Sequence, residues 1–398
     1  MAPLRRYRPA ALGVGTFFLT LPFLFGGGSG DGDIPIFRSY GDRVLNGEVP
    51  YRDFHPEYPP GAFLFFVLPS LGPDRRYLLI FQLIAAAGIV LGLVLLALLV
   101  DRLGATERFQ YFALFFAGIS PLLLGSFTLR RFDMWPAALC VGVLLLLVDD
   151  RPEWALSLLA VATVIKSFPV ILLPIALLAV ERRRRWRSLA AFCVVGFVLA
   201  APFAAVGPGG LYNSVATQAD RHLHLDSIGS SLLLVLHRPV RLAFDGGGWS
   251  VFGGGADAIA KIQTAAQFAG IALSAVLFAR SRRGPWDLVG AAAATLAIGA
   301  CFGKILSPQF LLWIVPLVVL ARNWLATGLF AAAMVMTQVL FPDRYSGLLA
   351  KHDAEIWLLF VRNLSLLALA IALLAAQVRR VAPADRVSAP VATVTPHG

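Results

Sequence analysis

Residues 77–100, YLLIFQLIAAAGIVLGLVLLALLV, form an apolar run without a charged side chain. The run is longer than the ~20 residues that an α-helix needs to cross the hydrocarbon core of a bilayer. The rest of the chain agrees, because 58% of its 398 residues are hydrophobic and only 14% are charged. That composition excludes an ordinary soluble globular protein of this length, and the sequence predicts a membrane protein with many spans.

Similar apolar segments recur along the chain. The predicted spans are 9–25, 77–100, 109–126, 133–148, 153–167, 168–180, 188–206, 260–280, 286–303, 309–321, 324–341 and 356–377. The region 153–180 could form two short helices, or one long helix with a re-entrant piece. We therefore expect an all-α polytopic membrane protein with about 11–13 transmembrane helices.

The formal net charge of +11 could indicate a nucleic-acid-binding protein. The arginines, however, cluster in short connections between alternate predicted spans, as in ERRRRWR at 181–187. An excess of arginine in short loops marks the cytoplasmic side of a membrane protein. The distribution of the arginines therefore predicts the orientation of the chain. We expect a multi-pass protein of the cell membrane with both termini in the cytoplasm.

The cysteines and the N-terminal segment argue against a disulfide-rich protein, a zinc protein and a cleaved signal peptide. Cys140, Cys193 and Cys301 lie within predicted spans, so neither a disulfide framework nor a zinc site is expected. The segment RRYRPAALGVGTFFLTLPFLF resembles a signal peptide, but GGGSGDGD follows it where a small-residue cleavage site would be expected. We expect it to remain as the first helix.

Two predicted outer loops, 26–76 and 207–259, are too long to be simple turns. In the first loop, IPIFRSYGDRVLNG predicts an interfacial helix on the membrane surface. Its apolar stripe comprises Ile34, Phe37, Tyr40, Val44 and Leu45. The following YPPGAFLFFVLPSLGP is too short to cross the membrane and predicts a re-entrant or interfacial piece.

The second outer loop contains the amphipathic stretch DRHLHLDSIGSSLLLVLHRPVRLAF and a glycine-rich, low-complexity patch at 245–255. Both outer loops could cover a site on the outer face. The chain is therefore expected to form one transmembrane domain over 1–380. Its polar end, 381–398, is predicted to be a disordered cytoplasmic tail.

The sequence lacks the signatures of dinucleotide binding, P-loop ATPases, zinc proteases and serine hydrolases. A carboxylate, Asp33, instead follows the first predicted span. If a pocket holds both groups, it could accept a proton from a hydroxyl substrate. The alternative is a helix N-cap or a solvated loop acid, and the neighbouring Asp31 is the better candidate for a solvated residue.

The segment GEVPYRDFHPEYPPG places Asp53, His55 and Glu57 at alternate positions. An extended chain would point all three the same way, which is compatible with metal binding or proton shuttling. The prolines favour extended backbone, and a triplet without other ligands is a weak metal signal. We favour a stiff polar wall in which Tyr51 and Tyr58 also contact the substrate, with no metal and no cofactor.

Cations lie just outside several spans on the predicted outer side, against the usual bias. They are Arg130, Arg131, Lys166 and Lys304. They could snorkel or form ion pairs, such as Arg131 with Asp133. Lysine is scarce here and confined to the outer side, which indicates an anionic ligand such as phosphate. Arg362, inside the last span, could join these cations or snorkel outward.

Histidines also fall on the predicted outer side. They are His222, His224, His237 and His352. A loop histidine is usually solvated, but the close pair in HLHLD could orient a phosphate or an acceptor.

Several short motifs together carry a family resemblance. Asp33 is followed by Phe37, LNGEVPYRDFHPEYPPG, RFD at 131–133, IKSFP at 165–169 and KILSPQFLLWIVP at 304–316. This order resembles the GT-C membrane glycosyltransferases, specifically glycosyltransferase family 87, which includes mannosyltransferases that use polyprenyl-phosphate mannose. The resemblance covers roughly residues 30 to 340.

The resemblance implies a GT-C-like helical bundle whose site opens on the extracytoplasmic face. It implies a polyprenyl-phosphate sugar donor and a carboxylate base in the first outer loop, a role that would fall on Asp33. Tyr58, Pro59 and Pro60 match an element that shapes the cavity. The chain has Lys-Ser-Phe-Pro from Lys166, where family patterns often show Lys-Pro.

The chemistry agrees with the motifs. A leaving phosphate departs as an anion and needs cations rather than a proton, while the attacking hydroxyl needs a base, and direct attack inverts the anomeric centre. We therefore predict transfer of a hexose, with mannose implied, to a lipid or glycan acceptor. The base is Asp33, and the phosphate contacts are Arg130, Arg131, Lys166 and Lys304. The sugar or acceptor contacts are Tyr51, Asp53, His55, Glu57, Tyr58 and His352.

A multi-span transporter or lipid flippase is the main alternative. Such a protein would place ionisable residues near the bilayer midplane and often contain an inverted repeat. In this sequence the charges gather at the outer ends of the spans instead, and no repeat is evident.

Overall fold

The computed structural model describes residues 7–25 and 32–381. Asp31 and the predicted tail after Val381 lie outside these residues. The α-helices are α1 Arg8–Phe25, α2 Ile34–Leu45, α3 Phe63–Ser70, α4 Tyr77–Arg102, α5 Glu107–Leu124, α6 Met134–Val148, α7 Pro152–Ile165, α8 Leu173–Ala179, α9 Arg185–Val206, α10 Pro208–Asp220, α11 Ile228–Val235, α12 Ala256–Arg280, α13 Pro285–Cys301, α14 Leu311–Val318, α15 Trp324–Leu340, α16 Tyr345–Leu349 and α17 Asp353–Val378.

Short 3-10 turns extend or link several of these helices: Pro60–Ala62, Asp74–Arg76, Ser126–Arg130, Phe168–Leu172, Pro308–Phe310 and Val319–Ala321. The strands are β1 Leu223–His224, β2 Val240–Asp245 and β3 Gly248–Gly253.

The prediction of an all-α polytopic membrane protein is confirmed. Within the described residues, five helical segments are long and apolar enough to cross a membrane: Arg8–Phe25, Asp74–Arg102, Arg185–Val206, Ala256–Arg280 and Asp353–Val378. Shorter apolar helices, such as Met134–Val148 and Pro285–Cys301, complete the bundle. Each predicted span coincides with a helix to within a few residues.

The bundle is held by direct helix packing, in which α1 lies on α5, α4 on α6, and α17 on both α13 and α15. Small residues permit the closest approach. A Cβ atom on Gly118 of α5 would lie 2.4 Å from the carbonyl oxygen of Gly13 in α1. Backbones that meet at glycine gain dispersion contacts that larger side chains would prevent.

The region 153–180 forms two short helices rather than one. Helix α7 ends at Ile165, Lys166 has extended backbone (φ −155°, ψ 134°) and a 3-10 turn then leads into α8. Lys166 therefore lies at the break between the two helices. This settles the alternative that the sequence left open.

The first outer loop has the predicted order of a surface helix followed by a short apolar helix. Helix α2 packs on α3, and a Cβ atom on Gly41 would come within 2.3 Å of the Phe66 carbonyl oxygen. Ile34 and Phe37 are buried, but Leu45 is exposed. The contact with α3 runs through Phe37 and Gly41, and Leu45 ends the helix outside this contact.

The second outer loop contains a small sheet that the sequence did not predict. Strands β2 and β3 form an antiparallel hairpin, and β1 pairs with the other edge of β3. The hairpin turn uses Gly246 (φ +57°) and Gly247 (φ +75°), the left-handed conformation that two-residue turns require. The glycine-rich patch, interpreted as low complexity, is therefore the turn and inner strand of the hairpin.

Both long loops lie at the same end of the bundle, since Arg221 of the second loop pairs with Glu57 of the first. We call this the loop end. The opposite end carries the connections after α4 and α8 and the C-terminal end of α17.

Candidate active site

Asp33 pairs with Arg131 at the loop end. The Asp33 Oδ2 atom lies 2.9 Å from Arg131 Nη1, and the Asp33 side chain is 30% exposed. Asp33 occupies the N-cap position of α2 but makes no capping hydrogen bond with its side chain. Gly32, at φ +55°, lies so close to Arg131 that a Cβ atom would meet Nη2 at 3.3 Å. The chain therefore turns at Gly32 to present the carboxylate to the guanidinium.

A second ion pair joins Asp133 to Lys166, with 2.7 Å between Oδ1 and Nζ. The indole Nε1 of Trp313 donates to the same Oδ1 atom at 2.6 Å. The Asp133 side chain is fully buried, and its Oδ2 has no hydrogen-bond partner among the described residues. The predicted pair of Arg131 with Asp133 is absent, because Asp33 takes the arginine and Lys166 takes the buried aspartate.

An aromatic stack fixes Trp313 in this position. The Trp313 ring lies 4.0 Å from that of Phe168 at an angle of 4°, and 3.9 Å from that of Phe310 at 23°. Phe168 belongs to the IKSFP segment, while Phe310 and Trp313 belong to the SPQFLLW segment. Two motifs far apart in the sequence therefore meet as one stacked unit.

The two ion pairs are neighbours, and we call Asp33, Arg131, Asp133 and Lys166 the charged cluster. Lys166 interacts electrostatically with Arg131 and Asp33 as well as with Asp133. Among the described residues, Arg131 Nε also lacks a hydrogen-bond partner. Buried polar atoms are rarely left unpaired in native proteins. The cluster thus retains capacity for a polar ligand or for water.

Tyr58 forms an aromatic wall beside the cluster. Its ring meets those of Phe37, Phe66 and Phe132 edge-on at 5.4 to 5.8 Å, and Lys166 Nζ lies 6.0 Å from its centroid. Burial, with a contribution from Asp33, raises the pKa of the Tyr58 phenol well above its usual value. The phenol therefore stays neutral and can donate a hydrogen bond at physiological pH.

Tyr51 supports this wall from behind. Its side chain is buried, and its hydroxyl donates to the Tyr58 carbonyl oxygen at 2.6 Å. The backbone of Tyr51 is left-handed (φ +69°), and residues 51–53 form a turn. The buried Tyr51 side chain therefore supports the wall that Tyr58 forms.

The extended D-x-H-x-E geometry is not formed, because this turn redirects the chain. Asp53 pairs with Arg52 at 2.9 Å, and that hydrogen bond lowers the Asp53 pKa to about 2. Glu57 pairs with Arg221, whereas His55 is exposed. Among the described residues, no group of His, Cys, Asp and Glu could hold a metal ion.

The other predicted contacts occupy different places. Arg130 ends the 3-10 turn directly before Arg131. Lys304 lies against the second outer loop, where its carbonyl accepts from the His224 backbone N–H at 2.9 Å. Burial lowers the Lys304 pKa, with Asp220 opposing the shift. His352 is exposed at the N-cap position of α17.

A buried polar group in the first half of α17 was not predicted. Arg362, which is 1% exposed, donates to the Asp226 carbonyl oxygen at 3.3 Å and to its Oδ1 at 3.4 Å. Tyr345 donates to the other carboxylate oxygen at 3.0 Å. Arg362 therefore neither snorkels outward nor pairs with the charged cluster. It anchors the second outer loop to the last long helix.

Trp313 and the pairing of Asp133 with Lys166 were missed as site features. RFD, IKSFP and KILSPQFLLWIVP are family motifs in the sequence, but none of them predicts a contact between Asp133, Lys166 and Trp313. No local pattern connects them, since the contacts join α6, the break after α7 and α14. The sequence signal was the co-occurrence of the three motifs.

Comparison with known families now adds to this geometry. The sequence model of glycosyltransferase family 87 matches residues 54–308 of the chain. No curated protein matches the chain. The matched range contains Tyr58, Arg131 and Lys166, whereas Asp33 precedes it and Trp313 follows it.

Proposed function

The chain belongs to glycosyltransferase family 87, and from that premise we propose that it moves a hexose, in the first instance mannose, from a polyprenyl-phosphate donor to a lipid or glycan acceptor. Membership of the family makes it a membrane glycosyltransferase. The transporter or flippase alternative therefore loses its support. The proposal concerns the donor, the acceptor class, the inversion and the residues that act.

The pairing of the partly exposed Asp33 with Arg131 carries the proposal. A general base must come within hydrogen-bond reach of the proton it removes. Asp33 is accessible to a substrate hydroxyl, whereas Asp133 is fully buried. The Arg131 guanidinium, 2.9 Å away, holds the Asp33 carboxylate in position.

Arg131 and Lys166 are proposed to stabilise the leaving phosphate. A polyprenyl phosphate departs as an anion, so cations already in position lower the barrier without a proton transfer. Asp133 holds Lys166 at 2.7 Å, which leaves other ammonium hydrogens for a phosphate oxygen. Arg130 and Lys304 are proposed as further phosphate contacts from the surrounding segments.

The sugar or acceptor is proposed to lie against the Tyr58 wall. Tyr58 presents a ring face and a neutral hydroxyl, and Glu57 lies beside it in the ion pair with Arg221. Tyr51 contributes by holding Tyr58. Asp53, His55 and His352 are proposed as outlying contacts to the acceptor.

The loop end is proposed to face the extracytoplasmic side, with both termini in the cytoplasm and one transmembrane domain over 1–380. This orientation places the arginine-rich connections inside, as the positive-inside rule requires. A hydroxyl that attacks directly from the Asp33 side displaces the phosphate in one step. The anomeric configuration of the donor is then inverted in the product.

A donor-selection assay tests this function. Purified protein in lipid nanodiscs would receive polyprenyl-phosphate mannose, polyprenyl-phosphate glucose or GDP-mannose, together with a membrane glycolipid extract as acceptor. We expect a mannosylated lipid only from polyprenyl-phosphate mannose, with inverted configuration by NMR, and the same rate after addition of a chelator. Transfer from GDP-mannose would overturn the donor assignment. The absence of transfer from either polyprenyl-phosphate sugar would overturn it as well.

A further inference from the structure

A groove at the end of the bundle opposite the charged cluster combines arginines with exposed apolar side chains. It lies between the start of α15 and the end of α17. Its lining includes Arg322, Asn323, Trp324, Leu325, Arg379 and Arg380. Nothing in the proposed transfer reaction uses these residues.

Hydrogen bonds between neighbouring segments hold the groove in shape. The Arg380 Nη1 atom donates to the Trp286 carbonyl at 2.8 Å, and its Nη2 donates to the Ala321 carbonyl at 3.2 Å. These bonds tie the end of α17 to the start of α13 and to the segment before α15. The Asn323 amide adds a bond of 3.2 Å to the Ala372 carbonyl of α17.

Positive charge in this groove exceeds its local compensation. Asp287 lies 4.0 Å from Arg380. The exposed Arg379 side chain has no partner among the described residues. The Arg322 guanidinium rests on aromatic rings, 5.0 Å from Trp286 and 5.8 Å from Phe109. Two guanidinium groups therefore remain available for an anion, and their planar donors suit a phosphate.

The nearby arginine run at 181–187 behaves differently. Arg184 pairs with Glu153 and Asp150, and Arg183 pairs with Glu181. Arg183 and Arg184 of that run therefore have carboxylate partners close by. The groove differs because it is concave and its Arg322 and Arg379 have no carboxylate partner among the described residues.

The rim of the groove indicates a lipid. Trp324 and Leu325 are each 65% exposed beside Arg322. Tryptophan is enriched where membrane proteins cross the headgroup region, and basic pockets between transmembrane helices bind anionic headgroups. A ligand with a phosphate next to acyl chains satisfies both the arginines and the apolar rim, whereas a soluble anion satisfies only the arginines.

We propose that this groove binds the phosphate headgroup of an anionic phospholipid in the leaflet opposite the charged cluster. Arg322 and Arg379 bind the phosphate, while Trp324 and Leu325 contact the acyl region. The proposal rests on the membrane location of the protein and is independent of the donor or acceptor.

Native mass spectrometry of the full-length protein in detergent tests the proposal, with added dioleoyl phosphatidylglycerol or dioleoyl phosphatidylcholine. We expect wild type to retain phosphatidylglycerol preferentially. Arg379→Gln should lower that preference about fivefold, since a basic residue near an anionic lipid surface contributes about that factor in affinity. The double variant Arg322→Gln/Arg379→Gln should bind both lipids alike.

Arg183→Gln is the matched control, because it removes a highly exposed arginine outside the groove and should keep the preference. Arg379→Gln breaks no contact among the described residues, so it should fold normally, as circular dichroism would confirm. An unchanged preference in both groove variants would overturn the site. Displacement of the lipid by inorganic phosphate at equal concentration would overturn its assignment to a lipid.

Discussion

Asp33 and Asp133 carry the same carboxyl group, but their surroundings give them different capacities. Asp33 is partly exposed and meets one guanidinium, while Asp133 is enclosed by Lys166 and Trp313. The first can reach a substrate, and the second can only position other groups. The sequence proposed Asp33 as the base and named a pair of Arg131 with Asp133 only as an alternative to phosphate binding. It did not predict the pair of Arg131 with Asp33, because nearness along the chain does not reveal which side chains meet in a folded bundle.

Replacing Trp313 with phenylalanine tests the positioning role of the Asp133 network. The substitution keeps an aromatic ring in the stack but removes the indole N–H that donates to Asp133. A hydrogen bond to a charged group contributes about 1.5–3 kcal/mol to stability, so we expect a lower melting temperature. Because the bond also positions Lys166 through Asp133, kcat of the folded enzyme should fall about tenfold or more. Steady-state kinetics and thermal unfolding would separate the two effects.

Trp154→Phe provides the control for that experiment, since Trp154 is largely exposed on α7 and should retain wild-type kcat. A wild-type kcat in Trp313→Phe would show that the hydrogen bond does not position Lys166.

At the scale of elements, hydropathy located the helices well because apolar length is a local property. It also allowed for the break at Lys166, where Ser167 and Pro169 follow an apolar run. It failed at the β2–β3 hairpin, because glycines that permit a left-handed turn also resemble low complexity. The residues of α2 that face α3 could not be predicted either, because they depend on where the partner helix lies.

Helix packing between α1 and α5 yields a matched pair of glycine substitutions. Gly118→Ala would place a Cβ atom 2.4 Å from the Gly13 carbonyl oxygen, whereas a Cβ atom on Gly15 would meet nothing within 4 Å. Overpacking typically costs about 1–3 kcal/mol. We expect Gly118→Ala to melt at a clearly lower temperature than Gly15→Ala in the same detergent. Equal melting temperatures would contradict the close approach of these helices.

The second outer loop is expected to loosen in acid. Burial lowers the pKa of His224, although Asp226 opposes the shift. The folded loop therefore binds fewer protons than the unfolded loop as the pH falls below about 6.5, the usual histidine value. Its stability is present above that pH and is lost progressively below it.

Limited proteolysis of the loop at pH 7.5 and 5.5 measures this effect. Cleavage of wild type should accelerate at the lower pH, and His224→Gln should show a smaller ratio between the two rates. His222→Gln, which alters a more exposed histidine, should behave like wild type. Identical ratios of the two cleavage rates in wild type and His224→Gln would show that the buried His224 does not cause the faster cleavage in acid.

For the whole molecule, the sequence predicted the class, the family and the end of the bundle where the charges gather. It could not predict how the loops are fastened, because those contacts join distant segments. Arg362 of α17 holds Asp226, and Glu57 holds Arg221. These pairs fasten the second loop to the end of the bundle that carries the charged cluster.

Transfer of mannose from polyprenyl-phosphate mannose by Asp33→Asn is the most direct test of this account. Asparagine keeps the size of the side chain but cannot accept the proton, and general base catalysis typically contributes 10² to 10⁴ in rate. We predict a loss of kcat of at least about 100-fold. Asp74→Asn, which alters an exposed acid of the same loop, should transfer at the wild-type rate. Equal transfer by Asp33→Asn and wild type would contradict the assignment of Asp33 as the base.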